Sequence, residues 1–442
     1  MQRRGTVLFL TIGGTHEPAV KVIRQLQPER VIFFCSGDDP GTGRRGSWVQ
    51  ITGQGKVIKA RKEDPYPTLP NIPTQCGLTA ESCKKVEVPP DHLDGAFEIM
   101  AESIDKEVAR DIKVKLVADY TGGTKTMSTA LVLATLEHPE VDLNLTTGNR
   151  SDLTHVHSGT EHVTVVTIER LRTRRMMKSA LSPWERYAYD EAEQALERIA
   201  TPSDPDLAGE LNRLHDLSHA FSAWDHFNHD EAFKRLDPYA PVLASPIANP
   251  LALLSLMANH KKDPARAEAL LIWDLWLNAK RRAAAGRFDD AVARLYRVIE
   301  WTAQWLLSAH LAIDTSDVPL DKIPSGITIE PGREGSRRAG LFAAWQLLAH
   351  HRPQSEAGRF FAERRDELLD LLKKRNGSIL AHGFKPVGKD AWEGMHQWVE
   401  SNLCPVLCKE AKDIGQKTFF DQLPRAPTEA LADISQKTPP LV

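Results

Sequence analysis

The sequence predicts an α/β domain with a mainly parallel sheet, followed by an all-α region. Three observations carry this. Up to about residue 170, short apolar runs alternate with amphipathic helical stretches. From about residue 183 the apolar spacing is helical throughout. Two glycine-rich turns, Gly13-Gly14-Thr15 and Thr121-Gly122-Gly123-Thr124-Lys125, each sit where an apolar run ends and a helical pattern begins, as parallel strands do when they feed helices.

The first run, Thr6–Ile12, ends at Gly13. Glu17–Gln27 follows with Ala19, Ile23 and Leu26 on one helical face, and Arg30–Cys35 is the next buried strand. Lys113–Ala118 is a later strand that ends at Asp119-Tyr120 and the second glycine turn. The helix after it places Met127, Ala130, Leu131 and Ala134 on one face. Val141–Leu145 is another strand, and Leu153–His157 with His162–Ile168 read as a terminal hairpin. Ligands of such sheets bind at the carboxyl ends of the strands. Both glycine turns therefore point to a phosphate-bearing ligand, because glycine lets the backbone approach closely and a helix N-terminus offers free N–H groups. Neither turn is a Walker motif, since the order at the second is Gly-Thr-Lys-Thr.

Residues 37–95 break the alternation. They are rich in Gly, Pro and Asp, and are expected to be an insertion with one hairpin at Ser47–Lys59. Within them Gly41-Thr42-Gly43-Arg44-Arg45-Gly46 matches G-x-G-x-x-G. No helix is expected to open directly after it, so it reads as a mobile basic loop rather than a dinucleotide site.

The second half starts at Pro183-Trp184-Glu185-Arg186, a good helix start. Helical patterns cover Glu193–Ile199, Leu207–Phe221, Pro264–Ala285, Phe288–Leu311, Gly340–His350, Glu356–Ala381 and Ala391–Ile414, the last with a kink expected at Pro405. Residues 314–338 read as an exposed loop, and the proline-containing tail from Gln422 reads as disordered. The expected domains are 1–172 (sheet), 183–262 (helical linker) and 264–420 (helical), followed by the 422–442 tail. No fixed period supports a helical repeat.

A net charge of −3 with 26% charged residues gives no global basic field for nucleic acid, so any RNA site must be a local cleft. Five cysteines, odd in number, argue for a reducing compartment. No apolar run reaches ~18 residues, so a cytoplasmic, membrane-free protein is expected.

Arg375-Asn376-Gly377-Ser378-Ile379-Leu380-Ala381-His382 lies in an apolar helical context. Seven positions are close to two turns, so Arg375 and His382 share one face, roughly 10 Å apart along the axis. Two such helices across a two-fold axis would gather two arginines and two histidines around one cleft. Two readings fit these residues: a composite catalytic site in a homodimer, or a buried arginine paired with a carboxylate beside a histidine that only packs.

Other constellations invite chemistry. His215 and His219 stand at i,i+4, as in a zinc site, but with no evident third ligand; a polar helix face is the simpler reading. Cys404 and Cys408, with Pro405 between them, lack zinc-finger spacing and read as core packing. Arg170, Arg172, Arg174, Arg175 and Lys178 read as a solvated basic face, with guidance of RNA or bracing of a hinge as alternatives.

The segment Asp119–Met127 resembles the signature of CARF domains, a Rossmann-like sensor fold. The Arg375–His382 segment resembles that of HEPN ribonucleases, and Ala279–Arg282 through Gly286–Arg297 resembles the opening helices of the same HEPN family. Together they resemble the CRISPR-associated CARF–HEPN ribonucleases of type III systems. The resemblance implies a homodimer, a CARF sensor for cyclic oligoadenylate, and a HEPN endoribonuclease that cleaves single-stranded RNA without metal. The ligand residues it implies are Gly13, Gly14, Thr15, Thr121, Gly122, Gly123, Thr124, Lys125 and Met127; the catalytic residues are Arg375, Asn376 and His382. The helices between Pro183 and Lys262 are the expected transmission element. A non-catalytic nucleotide-responsive adaptor, or a sheet domain that cleaves its own ring, are the alternatives.

Overall fold

The computed structural model describes residues 5–59, 68–110, 114–147, 162–331, 336–376 and 386–431. The chain divides into two compact units, Met1–Arg175 and Met176–Val442.

The first unit is a three-layer α/β fold. Its elements run β1 (Thr6–Thr11), α1 (Glu17–Leu26), β2 (Arg30–Cys35), α2 (Val49–Thr52), β3 (Ile58–Lys59), β4 (Thr68–Leu69), α3 (Ile72–Cys76), β5 (Cys83–Glu87), α4 (Leu93–Val108), β6 (Lys115–Asp119), α5 (Lys125–Glu137), β7 (Val141–Thr147) and β8 (His162–Val166). The sheet order is β5-β2-β1-β6-β7-β8, parallel except for the last pair. Alternate residues of β1 bury on opposite faces. Val7 and Phe9 pack with the apolar faces of α4 and α5, and Leu8 and Leu10 with those of α1 and α3. Burial on both faces is why β1 and β2 read as unbroken apolar runs.

Two expectations for residues 37–95 are corrected. Ser47–Lys59 is not a hairpin: residues 49–52 form the one-turn α2, and Ile58–Lys59 pairs antiparallel with Thr68–Leu69. The β-branched residues there favour a strand locally, but burial of Ile51 in the α1-side core overrides the propensity. The segment is also not wholly an insertion, since β5 is the edge strand of the main sheet. Its lysines are exposed on an edge, which hides the apolar alternation. Of the expected terminal hairpin, His162–Val166 pairs with β7, and Leu153–His157 lie outside the described residues.

Helix α6 (Glu169–Ala180) follows. Its basic run is not simply solvated. Arg172 Nη2 donates to the carbonyls of Thr135, His138 and Val141 at 2.6, 3.0 and 2.8 Å, gathering acceptors from the last turn of α5, the turn after it and the start of β7.

The second unit is helical: α7 (Tyr189–Glu197), α8 (Pro205–Asp225), α9 (His229–Leu236), α10 (Ser245–Ala258), α11 (Pro264–Ala284), α12 (Phe288–Leu311), the short pair β9 (Glu330–Pro331) and β10 (Arg337–Arg338), α13 (Leu341–His351), α14 (Glu356–Asn376), α15 (Lys389–Trp398), α16 (Cys404–Asp413) and α17 (Pro427–Ala430). Pro250 inside α10 hides that helix in the sequence. The irregularity expected at Pro405 is a π-helical turn, Val399–Leu403, just before it. One apolar core runs from Trp184 to Leu431 and includes residues of α7–α10 together with α11–α16.

The tail expected to be disordered from Gln422 is packed as far as Leu431. Tyr189 donates to the Pro424 carbonyl at 2.6 Å, Gln422 to the Leu277 carbonyl at 2.9 Å, and Leu423 and Leu431 are buried. Its prolines and buried leucines fill the core without needing helical periodicity. Among the described residues, no helix is long and apolar enough to cross a membrane.

Candidate functional site

The chain runs outward from β1 to β2 and β5, then returns to place β6 on the other side of β1. The order of strands therefore reverses between β1 and β6, and the carboxyl ends of these two strands flank the crevice where open α/β sheets bind ligands. Both glycine turns open there. They touch each other: Thr11 Oγ1 donates to the Gly122 carbonyl at 2.7 Å, and a Cβ on Gly122 would lie 2.2 Å from the Thr11 carbonyl oxygen. Gly123 adopts φ +84°, where side chains are strained.

Asp119 holds the second turn. Its buried carboxylate accepts from the Thr121 amide at 2.9 Å and from Thr146 Oγ1 at 3.1 Å, while the Thr146 amide donates to Thr121 Oγ1 at 2.7 Å. Burial pushes the Asp119 carboxyl above the usual carboxylate range, against the bonds from Thr121 and Thr146, which favour the anion. Thr124 caps α5: its hydroxyl accepts from the Met127 amide at 3.2 Å and donates to the Pro90 carbonyl at 2.5 Å.

Above these turns lies a cleft of about 380 Å³. Of the residues expected from sequence, Gly13, Gly14, Gly123, Thr124 and Met127 line it; Thr15, Thr121, Gly122 and Lys125 do not. Gly14 is distinct among them, because a Cβ there would meet nothing within 4 Å. The opposite wall was missed: Ser36, Arg44, Arg45, Ser47 and Gln50 follow β2, and Asp91 precedes α4. Gln50 Nε2 donates to the Gly13 carbonyl at 2.5 Å, and its buried Oε1 has no partner among the described residues. A signal existed, since parallel pairing of β1 and β2 puts the loop after β2 on the same sheet edge as the glycine turns.

In the helical unit, α14 is fixed at its start by buried Glu410, which accepts from the Ala357 amide at 3.0 Å and from Arg352 at 2.8 Å. Arg375 and Asn376 occupy its last turn. His382 lies outside the described residues, and so does the expected continuation of the helix to Ala381. Where the description resumes, the Val387 amide donates to Asp289 Oδ1 at 2.8 Å, tying the chain to the first turn of α12.

Ala279–Arg297, which carries part of the HEPN resemblance, contributes arginines to a buried ionic network. Arg281, with no exposed surface, donates to Asp225 at 2.6 Å, Asp274 at 3.1 Å and Gln422 at 2.8 Å. Arg282 also bonds Asp225, and His229 pairs with Asp274 at 2.8 Å. Asn278 donates to Asp225 and accepts from Arg294.

The sequence model described as "Csm6 HEPN domain" matches residues 261–404. Over those residues the helical unit is similar to the Csm6 HEPN domain. Arg375–His382 fall inside the match, as do the network residues of α11 and α12. No curated protein sequence matches the chain. Enterococcus italicus Csm6, solved bound to cyclic hexa-2'-fluoro-hexa-dAMP, superposes with TM-score 0.56 at 12% identity, over 93% of this chain and 95% of its own. The Csm6 fold thus extends from the HEPN domain over nearly the whole chain, in line with the CARF–HEPN resemblance. Can2 from Sulfobacillus thermosulfidooxidans, solved with cyclic tetra-adenylate, aligns at 12% identity over 53% of this chain and 66% of its own; its TM-score of 0.21 carries no argument.

The histidine pair on α8 faces carboxylates from α7 and α9. His219 contacts Glu193 at 2.6 Å and Glu231 at 3.3 Å, and His215 contacts Glu197 at 3.5 Å. Ligand atoms of Glu193, Glu197 and His215 lie within 4.8 Å of one another, but His219 is not among them, so the expected histidine pair does not converge on one site. Each histidine already has a carboxylate partner, which accounts for the cluster as ion pairs.

Proposed function

We propose that the protein is a cyclic-oligoadenylate-activated endoribonuclease of type III CRISPR defence, working as a homodimer on single-stranded RNA without metal. The observation that carries this is the Csm6 HEPN match across Arg375–His382 in a chain that also has a polar switch-point cleft. In this reading His382 moves the proton of the RNA 2′-hydroxyl or of the leaving 5′-oxygen. Arg375 stabilises the charge that develops on the phosphorus oxygens, and Asn376 orients the arginine or the phosphate. The 2′-hydroxyl is the nucleophile, so the products carry a 2′,3′-cyclic phosphate and a 5′-hydroxyl. The cleft binds the ring with the glycine turns, and Thr15, Thr121 and Lys125 flank it.

Activation requires the ring to bind the active arrangement more tightly than the resting one. Helices α7–α10 are the proposed transmission element. They share one core with the HEPN helices, so they do not move independently of them. The test is an RNase assay with and without cyclic tetra- and hexa-adenylate. Cleavage that rises with one ring supports the reading; ring binding without cleavage would instead make the protein an adaptor.

A further inference from the structure

The Gly41–Gly46 segment has no part in the sheet core, yet it is the most elaborately tied loop at the cleft. At its neck the Ser36 amide donates to Ser47 Oγ and the Ser47 amide to Ser36 Oγ, both at 2.9 Å. Asp38 accepts from the Gly46 amide at 2.9 Å and from Trp48 Nε1 at 2.6 Å. Asp39 accepts from the Gly41 amide at 2.9 Å and from Thr42 Oγ1 at 2.6 Å. A Cβ on Gly46 would lie 2.2 Å from the Ser36 carbonyl oxygen, so the loop closes flat against its own stem.

Both of the loop's carboxylates are therefore occupied in holding its shape. Its two arginines, Arg44 and Arg45, are exposed and line the cleft; the Arg45 charge acts on Asp38, but neither guanidinium forms an ion pair within 4 Å among the described residues. Two adjacent guanidinium groups that face one cleft repel each other, and an anion between them removes that repulsion. Asp91 is the one other acid on the lining apart from Asp39, and it lies on the side that leads into α4. Lys125, the cation expected from sequence to meet the phosphate, is not on the lining.

We propose that the Asp38–Ser47 loop is a phosphate clamp, in which Arg44 and Arg45 make the charged contacts to a phosphodiester ligand while the glycine turns supply only backbone. This rests on the cyclic-oligoadenylate reading of the cleft and names the charged groups within it. Guanidinium groups suit the task, because each presents two N–H donors to two phosphate oxygens.

The test is calorimetric titration of the full-length protein with cyclic tetra- and hexa-adenylate at several potassium chloride concentrations. Wild type is compared with Arg44→Gln/Arg45→Gln, Arg44→Lys/Arg45→Lys and Lys125→Ala, each checked for an unchanged melting temperature. Each arginine lost should weaken binding on the order of tenfold. The slope of log affinity against log salt should fall by about 1.4 in the double glutamine variant, at about 0.7 per phosphate contact. The double lysine variant should recover the slope but not all of the affinity. Lys125→Ala should weaken binding less than the double glutamine variant. A double glutamine variant with wild-type affinity and slope overturns the clamp and leaves the ring-binding reading intact. Wild type that binds neither ring overturns both.

Discussion

A methyl group on Gly13 would come within 2.7 Å of the Gly123 amide nitrogen. The two glycine turns are thus in backbone contact across the switch point, and a change in one is felt by the other. Gly14, the next residue, has open space where a side chain would go. The two neighbours should therefore respond differently to alanine. Gly13→Ala should destabilise the sheet unit by about 1–3 kcal/mol, as overpacking does. Gly14→Ala should change stability by less than about 0.5 kcal/mol, yet weaken ring binding because its methyl enters the cleft. Thermal melts and calorimetry separate the two effects. Equal destabilisation by both would contradict the geometry.

The buried network makes a separate prediction. Asp225→Ala leaves Arg281 and Arg282 without their shared carboxylate, and breaking such a buried pair costs about 3–5 kcal/mol. Urea unfolding monitored by the tryptophans of the helical unit should show this loss. A change below about 1 kcal/mol would mean that water replaces the lost partner.

Asp274 contributes to the pH dependence. Burial alone would raise its carboxyl, but Arg281 and then His229 hold it below the ordinary carboxylate range. A group depressed in the folded state binds more protons when unfolded, so it stabilises the fold above the unfolded value of about 3.9. That contribution disappears as the pH falls through the lower folded value. Urea midpoints of the helical unit should drop in this acid window, and Asp274→Asn should flatten the drop. An unaltered acid limb in that variant would assign the loss to other carboxylates.

Sequence showed much of the fold for definite physical reasons. Strands β1, β2 and β6 are buried on both faces, and helices such as Phe288–Leu311 keep a 3.6-residue apolar period. Strand β5 was hidden because Lys84 and Lys85 face outward on a sheet edge. The four-residue α2 was hidden because burial of Ile51 outweighs local strand propensity. At the candidate site the glycine turns were legible, since the positive φ of Gly123 and the close backbone approach at Gly13 and Gly122 leave few alternatives to glycine, whereas Gly14 has open space. The opposite wall was not, because Arg44, Arg45 and Gln50 reach the cleft by tertiary contact and carry no periodic signal. The quartet Asp225, Asp274, Asn278 and Arg281 was equally illegible: polar and charged residues at buried positions are recognised only once their partners are seen.

The nucleolytic reading predicts indifference to metal. EDTA should leave RNA cleavage within about twofold of its rate, because general acid–base chemistry at His382 needs no Lewis acid. Loss of activity in EDTA, restored by zinc, would instead bring forward His215 with Glu193 and Glu197. An all-deoxy substrate should not be cut, since it lacks the nucleophilic 2′-hydroxyl.

The central claim is that a ring bound at the sheet switches on chemistry at His382. It is tested most directly by the RNA cleavage rate of the full-length protein with and without cyclic oligoadenylate, measured beside folded His382→Ala. The ring should raise the wild-type rate at least roughly tenfold, a differential stabilisation of about 1.4 kcal/mol, and His382→Ala should show no cleavage under either condition. A wild-type rate unchanged by any ring that demonstrably binds, or substantial cleavage by folded His382→Ala, would contradict it.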